Sequence, residues 1–221
     1  MPDKMFDRIS EKTSEKIVYF SGVHGSGKST LARELAKQPH FVEHRRIHHV
    51  ELQDTYIRTI WRLTKYYIEA REQEVLSREN PSRIILGQRC VYDNLAYADT
   101  FLKMGWISSR DEEHHRAVFD ALFPAPLRPR YVVHLAPGAD WVKRRLEERW
   151  VRKEQKWHES DFNYLEQVVK SYDSLYMHSS PCAPLPREAL PARILRVEET
   201  DLAQRVSIIT RWMATEFPGI F

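Results

Sequence analysis

Gly22-Val23-His24-Gly25-Ser26-Gly27-Lys28-Ser29 fits the pattern G-x-x-x-x-G-K-[ST]. No other stretch constrains the fold of this chain as much. Glycines at these spacings let backbone N–H groups turn inward and cradle phosphate oxygens. The lysine reaches the β- and γ-phosphates, and the following hydroxyl is placed for a Mg²⁺ ion. Such a loop needs a strand that ends before it and a helix that begins after it, because the positive helix end adds to the attraction. The flanks supply both. Ile17-Val18-Tyr19-Phe20 is a short apolar run of β-formers, and the segment from Ser29 to Ala36 carries Leu31 and Leu35 four apart. At average composition the four fixed positions coincide by chance about once in a hundred chains of this length. The candidate nucleotide-binding residues are Gly22, His24, Gly25, Ser26, Gly27, Lys28, Ser29 and Thr30, with Ser29 the candidate metal ligand.

The rest of the chain alternates. Strands are expected at 83–86, 131–135 and 194–197, with a fifth at His40-Phe41-Val42. Helices are expected at 93–104, 111–122, 140–150, 161–177 and 202–217. A longer one covers 52–78, where Ile57, Ile60, Trp61, Thr64, Ile68, Val75 and Leu76 recur at three and four. This order predicts an α/β fold: a three-layer sandwich around a mainly parallel five-stranded sheet, with helices on both faces. The length of 221 residues fits one domain over 17–221 behind a flexible leader of 1–16. A hydrophobic fraction of 42% excludes a disordered chain, and no apolar run approaches eighteen residues, so no membrane span is expected. The first sixteen residues lack the apolar core of a secretory signal, and Cys90 and Cys182 are too few for a disulfide framework. A cytoplasmic chain is expected. A net charge of +3 favours anionic small ligands and is too weak to argue for nucleic acid.

Two further segments carry chemistry. Arg145, Arg149 and Arg152 are spaced four and three, so they share a helical face late in the chain. Phosphoryl transfer spreads charge over equatorial oxygens, and cations on a closable segment would meet it. Arg89 follows the expected strand at 83–86, and ligands of open α/β sheets sit beyond the carboxyl ends of strands. The ten histidines include doublets but no H-E-x-x-H pattern and no cysteine partner, so no structural metal is expected.

Three segments, in order, resemble the thymidylate kinase and deoxynucleoside kinase family of P-loop kinases. GVHGSGKST at 22–30 is similar to the family's phosphate loop, QRCVYDNLAYA at 88–98 to its strand-end motif, and RRLEERWVRKE at 144–154, followed by Tyr164-Leu165, to its lid. The resemblance covers roughly 17–217. It implies transfer of the ATP γ-phosphoryl group, with Mg²⁺, to a nucleoside or nucleoside monophosphate. Lys28 and Ser29 would hold the donor, Arg89 would orient the acceptor, and Arg145, Arg149 and Arg152 would close over the transferring group from a lid at about 145–160. Gln73 is the nearest match to the amide with which the family reads the acceptor base. Two departures stand out. The family has an acid where this chain has Gln88, so Glu43, Glu51 or Asp93 would have to supply the carboxylate. The lid is also one residue looser than R-x-R. Other readings stay open: a P-loop kinase for another small metabolite or a nucleic-acid end, or a weakly hydrolysing NTP-binding regulatory module. A homodimer is a further open possibility.

Overall fold

The computed structural model describes residues 16–47, 50, 52–151, 158–177 and 190–221. The leader through residue 15, His48, His49, Glu51, the 152–157 stretch with Arg152, and the proline-rich connector at 178–189 with Cys182 lie outside them. Five strands form the sheet: β1 (Ile17–Ser21), β2 (Phe41–Glu43), β3 (Ile84–Gln88), β4 (Tyr131–Leu135) and β5 (Arg193–Val197). Their order is β2-β3-β1-β4-β5, and every pairing is parallel. The described helices are α1 (Lys28–Leu35), α2 (Thr55–Glu79), α3 (Val91–Lys103), α4 (Ser109–Leu122), α5 (Ala139–Trp150), α6 (Phe162–Met177) and α7 (Leu202–Glu216). The expected α/β sandwich is therefore present, and the short fifth strand is real, though it starts at Phe41 rather than His40.

The strands are buried on both faces, as a parallel sheet requires. Successive residues of β1 serve opposite layers. Val18 and Phe20 pack with Leu31 and Leu35 of α1 and Ile209 and Met213 of α7. Ile17 and Tyr19 pack on the other face with side chains of α2, α3, α4, α5 and α6. A one-residue slip of β1 would exchange these sets, which fixes its register. Backbone caps set the helix starts. The Asp54 carboxylate accepts from Ile57 N at 2.7 Å to open α2, and Asp201 accepts from Gln204 N at 2.9 Å to open α7.

α2 departs from expectation. Its recurring apolar residues suggest an inward stripe, yet Ile57, Ile68 and Val75 are exposed. Its buried residues are Arg58, Thr59, Leu63, Lys65, Tyr66, Glu69, Gln73 and Ser77, mostly polar. The periodicity identified the helix correctly, but the polar side of it faces the protein.

Candidate active site

β1 lies at the middle of the sheet, between β3 and β4, so the loop that follows it opens at the carboxyl ends of both. Gly22 turns with φ 139°, and a Cβ there would stand 2.4 Å from the Leu135 carbonyl oxygen, so only glycine fits. Gly27 precedes α1 with φ 92°. Lys28 is buried and folds back into the loop: its ammonium donates to Gly22 O and Val23 O at 2.7 Å each and to Ser26 Oγ at 2.9 Å. Burial lowers its pKa well below the ordinary lysine range, and Arg89 adds to that. The loop thus concentrates positive charge in a site from which water is largely excluded.

The strand-end segment delivers the missing carboxylate. Ser29 Oγ donates to Gln88 Oε1 at 2.6 Å, and Gln88 Nε2 donates to Glu43 Oε1. β2 pairs with β3 so that Glu43 sits opposite Leu86, two residues before Gln88. This pairing brings Glu43 within one side chain of the phosphate loop. Asp93 is the alternative that fails. It is fully buried, and its carboxylate already accepts from Gly22 N at 3.3 Å, Cys90 N at 2.9 Å, Arg89 Nη1 at 3.2 Å and the Tyr172 hydroxyl at 2.6 Å. It is a strut, not a base. Cys90 is also unsuited to chemistry, since burial pushes its thiol well above the usual range, with the Asp93 charge adding.

Arg89 takes up a left-handed backbone with φ 69° and donates through Nη1 to Gly22 O at 3.3 Å, Asp93 Oδ1 at 3.2 Å and the Tyr172 hydroxyl at 3.2 Å. Its guanidinium lies 5.2 Å from the Tyr97 ring centroid. A strained backbone held by four partners marks a position whose geometry matters. Beside it, Gln73 is buried, its Nε2 meets His44 Nδ1 at 3.2 Å, and its Oε1 has no hydrogen-bond partner among the described residues. Gln73 lines a narrow pocket with Tyr19, Tyr66, Glu69, Arg89 and Phe123.

The model of the deoxynucleoside kinase family matches residues 18–216. The chain belongs to the deoxynucleoside kinase family. Its solved neighbours share the fold. The deoxyadenosine kinase of M. mycoides with bound dATP is 15% identical, with a TM-score of 0.64 over 90% of this chain and 98% of that one. The same enzyme with dCTP is 14% identical, with a TM-score of 0.63 over 90% and 99%. With its products dCMP and dCDP it is 15% identical, with a TM-score of 0.58 over 90% and 99%. No curated protein matches this kinase in sequence.

The lid arginines of the kinase are not gathered on one face. Arg145 pairs with Glu148 at 3.2 Å in the open and stands 5.6 Å from the Trp141 ring centroid. Arg149 bonds instead to Glu159, a buried carboxylate that also lies 3.6 Å from His24 Nδ1. This chain of contacts ties the segment before α6 to the phosphate loop. Burial, with Arg89 next, holds the His24 pKa well below the histidine range, so the ring is neutral. Two contributors escaped the sequence. Glu159 is one. The other is Arg205 at the start of α7, which donates through Nη1 to Ser26 O at 2.8 Å and stacks 5.0 Å from the Trp141 ring centroid. Arg205 and Ser26 are 179 residues apart, and no local motif announces their contact.

Proposed function

We propose that this kinase transfers the γ-phosphoryl group of ATP to the hydroxyl of a nucleoside, in the cytoplasm and as a homodimer. The observation that carries the reading is the chain Ser29–Gln88–Glu43. A nucleoside hydroxyl must lose its proton during transfer, and Glu43 is an acid within reach that is not consumed by structural bonds. A monophosphate acceptor would need no such base.

In this reading the loop amides of 22–29 and Lys28 bind the β- and γ-phosphates. The oxygen donors suit Mg²⁺, which takes few protein oxygens and keeps the rest of its shell for water and phosphate. Ser29 would hold it directly and Glu43 through a water, and when bound it neutralises charge on the phosphates. Gln73 Oε1 accepts a hydrogen bond from the acceptor base, and Arg89 orients the sugar end of the acceptor. Glu43 takes the hydroxyl proton as the oxygen bonds to phosphorus and the bond to the bridging oxygen of ADP breaks. Arg145, Arg149 and Arg152, from the lid at about 145–160, meet the equatorial charge, Arg149 after leaving Glu159. Wherever the arginines act, they stabilise charge that develops during transfer, so their loss lowers kcat more than donor affinity.

The test is coupled ATP turnover against a panel of nucleosides and their monophosphates. Nucleoside-dependent ADP release is expected, and Glu43→Gln should cut kcat by about 10²–10⁴ with the fold retained, the range for a lost general base. ATP hydrolysis that no nucleoside or monophosphate stimulates would favour the regulatory module instead.

A further inference from the structure

α2 is amphipathic in the wrong sense for a helix that packs on its own domain. Its inner face carries Arg58, Lys65, Glu69 and Gln73, all buried. Its outer face carries Ile57, Trp61, Thr64, Ile68 and Val75, spaced four, three, four and seven. At 100° per residue these five fall within about 40° of one line. Ile57 is 56% exposed, Ile68 45% and Val75 47%, so three large aliphatic side chains stand in water along a single stripe. Single exposed apolar residues need no explanation, but an aligned row does. The inner face is polar because it lines the acceptor pocket, where Glu69 and Gln73 are required. The apolar character of the helix has been moved to the back.

We infer that this outer face of α2 is the surface on which two copies of the chain pair, with their α2 helices antiparallel about a two-fold axis. The occupant follows from the symmetry of the stripe. In an antiparallel pair, residues whose numbers have a constant sum stand at one height. A sum of 132 sets Ile57 against Val75 and Thr64 against Ile68, so every outward apolar position meets another member of the stripe. The same register sets Trp61 at the height of Arg71, within reach of a cation–π contact, and Asp54 at the height of Arg78, an opposite-charge pair at each end. No other shift satisfies all four pairs, and an unrelated partner would have no reason to match a row that reads the same from both ends. Isologous contacts of this kind are what a two-fold dimer requires. Length suffices as well. Twenty-five residues make a rod of about 37 Å, and a contact band about 20 Å wide along it approaches the roughly 800 Å² per partner of a standard interface. Pairing would also brace the helix whose inner face holds Gln73 and Glu69 beside the acceptor.

The experiment is sedimentation of the full chain together with a register-specific cross-link. The wild-type chain should sediment at twice its own mass at about 10 µM. Ile68→Glu places two carboxylates near the axis, beside Thr64 of each mate, and should raise the dissociation constant at least about a hundredfold. Ile208→Glu, at a similarly exposed apolar residue on α7, should leave the dimer intact. In a Cys182→Ser background, the double variant Ile57→Cys/Val75→Cys should give a covalent dimer with a short bismaleimide. Each single variant should not, because its own mate lies about 27 Å away along the pair. Circular dichroism on every variant separates loss of pairing from loss of fold, and the cross-link reads the interface without adding charge. A monomeric wild type at 100 µM, a dimer that survives Ile68→Glu, or single variants that cross-link as well as the double one would each overturn the inference. Kinase turnover is measured separately, so failure of the pairing surface leaves the assignment of activity standing.

Discussion

Gln88 shows how one side chain can be replaced without losing the site. It stands where the related motif has an acid, and its amide uses both ends: Oε1 accepts from Ser29 and Nε2 donates to Glu43. An acid at this position could accept from Ser29 but would face Glu43 with like charge. Two carboxylates sharing a site cannot both ionise easily, and their apparent pKa values separate. Gln88→Glu should therefore move the acid limb of the pH–rate profile upward by about one unit or more, as one proton is retained between the pair. The measurement is kcat/KM against pH for the wild type and the variant. An unshifted limb would mean that Glu43 is not the group whose ionisation controls the rate. Arg89 belongs to the same scale. Its left-handed backbone and its bond to Asp93 hold the guanidinium across the mouth of the loop, a placement that the local sequence QRCVYD only hints at.

At the scale of elements, α5 and the segment before α6 form a latch. Arg149 and Glu159 close it, and Glu159 sits almost fully out of water beside His24 of the phosphate loop. Arg145 is on the same helix but in the open, where an ion pair contributes about 0–1 kcal/mol. The two arginines should therefore separate. Arg145→Ala should lower kcat with an unchanged Tm. Arg149→Ala should lower kcat and also destabilise the fold by about 2–3 kcal/mol, because it leaves a buried carboxylate without its cation; the figure is below the usual range for buried pairs since Arg149 is a third exposed. Paired kinetics and thermal melts check this. Equal melting of both variants would dismiss the latch. α2 makes a related point. Its period announces a helix, but period alone is silent on which side faces the sheet.

Over the whole molecule, the sheet and its helical layers enclose histidines that acid must charge. His134, on β4, stacks 5.4 Å from Tyr172 and 4.8 Å from Tyr176 by ring centroids, and neither ring nitrogen has a hydrogen-bond partner among the described residues. Burial, then Arg196, lowers its pKa to about 3, and burial, then Arg116, lowers that of His115 to about 4. In the unfolded chain each titrates near 6.5. The unfolded state then binds more protons below that value, so stability is constant above about pH 7 and falls as pH drops toward 4. By pH 5 each of the two should have lost about 2 kcal/mol of stability. Urea unfolding at pH 7.5 and 5 measures the fall, and His134→Leu should remove about half of what these two contribute. A loss unchanged in that variant would assign the acid sensitivity elsewhere. The phosphate loop, the alternation of strands and helices, and the residues Lys28, Ser29 and Arg89 were legible in the sequence, because each rests on spacing within a few turns of chain. The sequence also named Glu43, but among alternatives. Only the pairing of β2 with β3 chose it, just as only the tertiary structure spent Asp93 on backbone amides, split Arg145 from Arg149, and carried Arg205 to Ser26. Periodicity says which residues share a face and fixes local geometry. Which face turns inward, and which distant carboxylate arrives at a loop, is decided when separate elements compete to bury surface and satisfy charge, and that competition has no signature in any one stretch of sequence.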